Sequence, residues 1–297
     1  MATEPEIHSY FDAGTSTWQY IVADRETRDA VIIDPVLNFD PVTAGVSTTS
    51  ADELLAHIAQ SGYNVQRILE THAHADHLTA AGYLQRELLN RSGSRPPVCI
   101  GKRISEVQST FAGRYGIDAQ ELTGAFDKLL EDDERFSLGN LSCTVIPLPG
   151  HTPDHVGYII GGNAFTGDSI FNPYLGTARA DFPGGSASSL YRSVKTLLSL
   201  PPDYRLYVGH DYPPDGKQGP VAFTTVAEQN STNKHIKHDT TEEEFTKLRR
   251  DRDSALSEPK LLHQALQVNI RGGRMPERSQ AGYRFLQIPL RLPLSLQ

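Results

Sequence analysis

Two cysteines in 297 residues exclude a disulfide scaffold, and Cys99 and Cys143 stand in no CxxC spacing, which also excludes a thiolate zinc site. No apolar run approaches the ~20 residues that a membrane-spanning helix requires. Basic residues number 28 against 36 acidic ones, and the net charge of -8 argues against a nucleic-acid partner, which calls for a basic face. A small anionic substrate stays compatible, because the field inside a cleft can differ from the total. There is no GxSxG elbow and no GxxxxGK[ST] loop; "GGSASS" has the glycines without the lysine. The opening "MATEPEIHSYFDAG" has three acidic residues and no basic one, unlike a secretory signal or an Arg-rich transit peptide. The expectation is a cytoplasmic rather than a mitochondrial protein, with no membrane attachment.

What is present is an alternation of periods. "STWQYIVADRETRDAVIIDPV" reads as two strands joined by a polar turn, and "SADELLAHIAQSGY" as a helix with Ser50 as N-cap and Gly62 as stop. "VQRILETHAHADH" reads as a buried strand emptying into a polar loop, after which "LTAAGYLQRELL" resumes a helical pattern. "PPVCIGK" and "SEVQSTFAGRYG" repeat the pair, so the first half argues for α/β layers. From about Phe126 to Phe171 short strands are broken by Gly, Asn and Pro. "SSLYRSVKTLLSLP" is a helix, "YRLYVGH" a strand, and "TTEEEFTKLRRDRDSAL" a capped, charged helix with its apolar positions on one stripe. "PPDGKQGP" is a loop rather than a linker, and no repeat or low-complexity segment occurs. One domain over residues 1–297, with a helical C-terminal extension packed on the core, is the simplest division.

Four stretches place metal-compatible side chains just beyond strands: "THAHADH", "LPGHTPDH", "FTGDS" and "VGHDY". His72 and His74 are two apart, so in extended chain they point to the same side. Asp76 and His77 are expected after the chain has turned into the helix, aimed back at the same volume. Crowding three of the chain's 11 histidines and an aspartate into seven positions gains nothing for packing and suits a metal ion. Taken singly, the later residues have plainer readings: His151 as a turn residue, Asp168 as an Asx-turn or helix cap, His210 as a residue that only lines the site. As a set with HxHxDH they point to a metal centre. His8, His57, His155, His235, His238 and His263 read as ordinary surface or core histidines.

HxHxDH at a strand end, followed by a Gly-His, a Gly-Asp and a second Gly-His, resembles the metallo-β-lactamase superfamily over residues 7–212. That resemblance implies a four-layer αββα sandwich with the metal at one edge of two sheets, and residues 213–297 as the extension. Hydrolases, nucleases and oxidoreductases share the fold, so no single reaction follows from it. More narrowly, "GTSTWQYIVAD", "ETHAHADHLTAA", "LPGHTPDHVGY", "GTARADFPGG", "VGHDYPP" and "LQVNIRGGRMP" are together similar to the persulfide dioxygenases, almost end to end. This resemblance implies one Fe(II) held by His72, His151 and Asp168, with His74, Asp76, His77 and His210 around the metal but not its main ligands. It implies a site for glutathione persulfide to which Arg179 and Tyr212 contribute, O2 as co-substrate, and sulfite and glutathione as products. Such enzymes are often dimers, so a homodimer is the partner state the resemblance allows. Ala180 stands before "DFPGG", where such relatives often have a cysteine, so any part played by that thiol is absent here.

The chemistry suits the residues. Two imidazoles and one carboxylate on one face of Fe(II) leave positions open, and zinc with its filled d shell cannot reduce O2. Arg179 could hold a substrate carboxylate by paired hydrogen bonds, and Tyr212 could donate to sulfur. Two other readings use the same side chains. A thioesterase of the glyoxalase II kind would set all seven histidines and aspartates around two zinc ions; against it, those enzymes carry a Gly-Cys-Gly-Arg type of segment where this chain has "GTARADFPGG". A metal-bound sensor without turnover is the third.

Overall fold

The computed structural model describes residues 4–214, 216 and 219–293; part of the loop "PPDGKQGP" and both chain ends lie outside the described residues. The chain begins with β1 (Glu6–Asp12), β2 (Thr17–Ala23), β3 (Asp29–Ile33), β4 (Val36–Asp40), β5 (Gly45–Ser47) and α1 (Thr49–Ser61). β6 (Asn64–Leu69), β7 (Leu78–Thr79), α2 (Ala81–Ser92), β8 (Val98–Gly101), α3 (Ile104–Tyr115), α4 (Ala119–Leu122) and β9 (Lys128–Leu130) follow. Next come β10 (Arg135–Leu138), β11 (Leu141–Pro147), β12 (Val156–Ile160), β13 (Asn163–Phe165), α5 (Ala187–Leu198), β14 (Arg205–Tyr207) and β15 (Phe223–Thr225). The last elements are α6 (Val226–Thr232), α7 (Glu242–Asp253) and α8 (Leu262–Asn269).

Two six-stranded sheets result, one in the order β1-β2-β3-β6-β8-β9 and the other running from β10 to β15 in sequence order, beside a small β5-β4-β7 sheet. β3, β6, β8 and β9 pair in parallel, which the intervening helices allow. The period of two along β2 decides what each face meets. Trp18, Tyr20 and Val22 join Val145, Tyr158 and Phe165 between the sheets. Ile21 and Ala23 join Leu54, Leu84 and Phe111 of the helices outside the first sheet. On the far side, Ile146, Leu148 and Ala164 pack against Leu190, Val194 and Leu197 of α5 and Phe245 of α7. The layers are therefore helices, sheet, sheet, helices: the αββα sandwich expected from the sequence.

Local boundaries bring corrections. Gly62 does end α1, at φ 64° in the left-handed region. Ser50, however, is not the N-cap. The helix starts at Thr49 with Thr48 as N-cap, two residues earlier, and Ser50 lies in its first turn, donating from its hydroxyl to Asp12 at 2.8 Å and from its amide to Asn38 at 2.9 Å. Asp76 and His77 are not helical: β7 comes after them, and α2 begins only at Ala81. α7 has the full capping box between Thr241 and Glu244. Its buried stripe is only partly apolar, since Phe245 is followed inward by Arg249 and Asp253.

The extension reaches the site loop directly. Leu262, Ala265 and Leu266 of α8 enter the cluster beneath the first sheet. At the end of α8, Asn269 donates to the carbonyls of His74 and His77, each at 2.8 Å, and accepts the Thr79 amide at 2.8 Å. Among the described residues no helix is long and apolar enough to cross a membrane.

Candidate metal centre

The loops after β6, β11, β13 and β14 all open on one edge of the two sheets and carry the four sequence clusters. Their ligand atoms meet. His72, His151 and Asp168 each present one within 4.8 Å of the other two, and so do Asp76, Asp168 and His210. His74 groups in the same way with Asp76 and His77, and also with Asp34 and Glu70.

In the first group the outward nitrogens of both histidines are hydrogen-bonded, and Nε2 of His72 and one oxygen of Asp168 are bare. The Nδ1 of His72 lies 2.9 Å from the hydroxyl of Thr71, which itself donates to Asp34 at 2.9 Å. That hydroxyl must therefore accept from Nδ1–H, leaving Nε2 as a lone pair; Nε2 is buried with no partner. His151 donates its Nδ1–H to the Arg179 carbonyl at 2.8 Å, freeing its Nε2, which stands 3.8 Å from an Asp168 oxygen. The other Asp168 oxygen is buried and unbonded. Glycine at 209 makes room for it, because a Cβ there would come within 2.3 Å of that oxygen. Each buried acceptor left unbonded costs about 1–3 kcal/mol, and a cation at their meeting point removes the cost. Burial, and then the neighbouring imidazoles of His74, His155 and His151, push the His72 pKa well below the ordinary value, so the ring is neutral as a ligand must be.

The remaining four candidates lie against one another and against further carboxylates, and Nε2 of His77 is buried with no partner. Nε2 of His74 is 3.1 Å from Asp34 and 3.5 Å from Glu70. Burial alone would discharge this ring, but the two carboxylates outweigh it and hold the pKa well above the ordinary value. Nε2 of His210 sits between Asp76 at 3.2 Å and Asp168 at 3.3 Å, while its Nδ1 donates to the Ser16 carbonyl at 3.0 Å. Again burial is overcome by the acids, and the ring is held protonated. His77 contacts Asp76 through Nδ1 at 3.0 Å.

Several residues that shape the centre escape sequence reading. Asp34 braces the first histidine through Thr71, and Glu70 closes the pair around His74. Asp154 accepts the Ala73 amide at 2.8 Å, tying two site loops together. His155, read from sequence as ordinary, stacks on His72 at 4.7 Å and accepts the Asp168 amide at 3.0 Å. Burial first, and His151 next, lower its pKa to about 3, which keeps that nitrogen an acceptor. The repeated histidine in "HTPDH" is the signal that was available. His235, also read as ordinary, accepts the Thr177 amide at 2.9 Å.

A cavity of about 1020 Å³ opens over the centre, bordered by Asp76, His151, Asp168 and His210. Arg179 and Tyr212 both line it. The ring of Tyr212 stacks on His210 at 5.8 Å with half of the residue exposed. The guanidinium of Arg179 is already engaged, bidentate with Asp181 at 2.5 and 2.6 Å and donating to the Ser257 carbonyl at 2.7 Å. Arg252 and Lys260 also line the cavity, and neither has a carboxylate partner among the described residues.

His235 gives the site segment a measurable acid sensitivity. Burial, then Arg249, Arg252 and Lys234, lower its pKa from 6.5 to about 3. Between those values the unfolded chain binds the proton and the folded chain does not, so stability falls as pH drops from 6.5 towards 3. His235→Gln keeps an oxygen for the Thr177 amide and does not titrate. Its urea midpoint should fall less steeply over that range than the wild type's; an identical slope would contradict the assignment.

Comparison with known proteins agrees with this geometry. The sequence pattern described as "Metallo-beta-lactamase superfamily" matches residues 14–210. A "Beta-lactamase hydrolase-like protein" of Xylella fastidiosa is 45% identical over 96% of this chain, which spans only 65% of that relative's length. A Dictyostelium discoideum protein named "Glyoxylase B2" is 42% identical over 98% of both chains. The human "Persulfide dioxygenase ETHE1, mitochondrial" is 31% identical over 90% of this chain and 88% of its own. The crystal structure of ETHE1 from Myxococcus xanthus superposes with a TM-score of 0.70 at 29% identity, covering 91% of this chain and 100% of that one. A matching pattern over most of the chain, the αββα layers and the four converging loops lead to one conclusion: this chain belongs to the metallo-beta-lactamase superfamily.

Proposed function

We propose that the chain is a persulfide dioxygenase, oxidising glutathione persulfide with O2 and water to glutathione and sulfite at one Fe(II) held by His72, His151 and Asp168. The observation that carries this reading is the division of the seven candidate ligands. His72, His151 and Asp168 bring one ligand atom each within 4.8 Å of the other two, with Nε2 of His72 and one Asp168 oxygen buried and unbonded, while Nε2 of His74 lies 3.1 Å from Asp34 and 3.5 Å from Glu70. Fe(II), when bound to two imidazoles and a carboxylate, supplies open coordination positions and an electron for O2. The protein's own groups do the rest. Arg252 and Lys260, with no carboxylate partner among the described residues, offer positive charge to the carboxylates of the tripeptide, and Tyr212 presents a hydroxyl beside His210. Arg179, fixed by Asp181, shapes the wall and carries the carbonyl that orients His151. The similarity to the human persulfide dioxygenase supports the same reading.

A second reading is favoured by the grouping of Asp76, Asp168 and His210 and by the similarity to the Dictyostelium protein. In it, two metal ions would serve thioester hydrolysis. One assay separates them. The anaerobically purified chain is given glutathione persulfide in an oxygen electrode, and lactoylglutathione in parallel. Oxygen uptake matched by sulfite is expected; thioester cleavage without oxygen uptake would establish the rival.

A further inference from the structure

Arg249 is among the largest fully buried side chains of the molecule, at 2% exposure, on a helix that is otherwise mostly charged and solvated. A buried guanidinium requires fixed partners. Its Nη1 donates to the carbonyls of Thr177 at 2.9 Å and Ala178 at 2.6 Å, and its Nη2 to Asp253 at 2.9 Å. The second oxygen of Asp253 accepts the amide of Ala180 at 2.9 Å. From the other side, His235 holds the amide of Thr177. The carbonyl of Arg179 is thereby left facing the centre, where it accepts the Nδ1–H of His151 at 2.8 Å.

The Arg179 carbonyl and the Ala180 amide belong to one planar peptide unit. We propose that Arg249 and Asp253 of α7 are positioning residues for His151: the Asp253 carboxylate grips the N–H end of that peptide, and its carbonyl end orients the imidazole towards the metal. The arrangement is a carboxylate–peptide–histidine relay. It does for His151 what a direct carboxylate does in carboxylate–histidine–metal triads, fixing the tautomer and making the ligand more basic. Arg249 holds both Asp253 and the preceding carbonyl, so the peptide plane cannot rotate. The C-terminal extension is then part of the metal site. This rests on His151 being a ligand and is independent of which reaction the site catalyses.

The test uses Co(II) as probe in the full chain, with affinity read by chelator competition and ligand geometry by the visible d–d bands. Asp253→Asn is expected to weaken Co(II) binding at least about tenfold and to alter the bands, since losing such an outer partner typically costs 10–100-fold. Arg249→Lys keeps the charge but puts one compact ammonium in place of the planar fork that reaches two carbonyls with Nη1 and a carboxylate with Nη2, so it should fall between. Lys247→Ala, on the exposed side of the same helix, should match wild type. A purely structural role would lower the thermal midpoint of the metal-free variants while leaving affinity and bands unchanged, and that result overturns the proposal. If Asp253→Asn does not fold, Arg249→Lys with unaltered affinity and spectrum overturns it equally. A wild-type chain that takes up no Co(II) overturns it together with the site.

Discussion

Asp168→Asn should leave a folded chain that no longer retains its metal. The carboxylate supplies the one oxygen of the inward-facing set and stands next to both the Nε2 of His151 and the ring of His210. An amide of the same shape is neutral, and its NH2 would face the protonated His210. Changing an outer partner of a metal ligand costs 10–100-fold in affinity, so replacing the ligand itself should cost more than about 100-fold. Turnover should fall with occupancy. Metal per chain after dialysis against a weak chelator, with near-ultraviolet circular dichroism as a check on packing, reads the effect. Wild-type stoichiometry and affinity in the variant would remove Asp168 from the ligand set.

Asp34→Ala should destabilise the metal-free chain by about 3–5 kcal/mol, because it leaves the buried imidazolium of His74 facing only Glu70. Asp34 also accepts both the amide and the hydroxyl of Thr71, at 2.7 and 2.9 Å, so the brace behind His72 is lost too. Urea unfolding of the metal-free protein measures it. A loss below about 1 kcal/mol would mean that water takes the place of the carboxylate and that His74 is not charged in the fold.

These two residues differ in how far the sequence reveals them. Asp168 follows an apolar strand in "FTGDS" and belongs to a motif whose spacing is local, so it is visible in one dimension. Asp34 stands in "IIDPV" 40 positions before His74, and only the parallel pairing of β3 with β6 brings them together. The sandwich was legible because its evidence is periodic: alternation in β2 and β3, then helical spacing in α1 and α2. α7 was half legible. Its caps and phase are written in "TTEEEFTKL", but a buried Arg249–Asp253 pair reads as a solvated face unless the carbonyls of the 177–180 segment are known to lie beneath it. The roles of His155 and His235 are hidden from the sequence for a related reason. His235 has no patterned neighbour, and although His155 repeats His151 in "HTPDH", whether either ring accepts a backbone amide depends on a loop that meets it through the tertiary fold.

Ser50 shows the limit at smaller scale. Serine at a helix start is a sound N-cap expectation, yet the competing bonds to Asp12 and Asn38 draw it into the first turn. The same tertiary demand keeps Asp76 and His77 out of α2. The His77 carbonyl accepts from Asn269 and the Asp76 carboxylate meets the His210 ring, contacts made from a bend ahead of β7.

Elemental analysis of chain purified without oxygen tests most directly whether side chains at 72, 151 and 168 share a single redox-active ion. About one iron per polypeptide is expected, lost on changing any one of the three; two zinc ions per polypeptide, or iron that persists without Asp168, would contradict it.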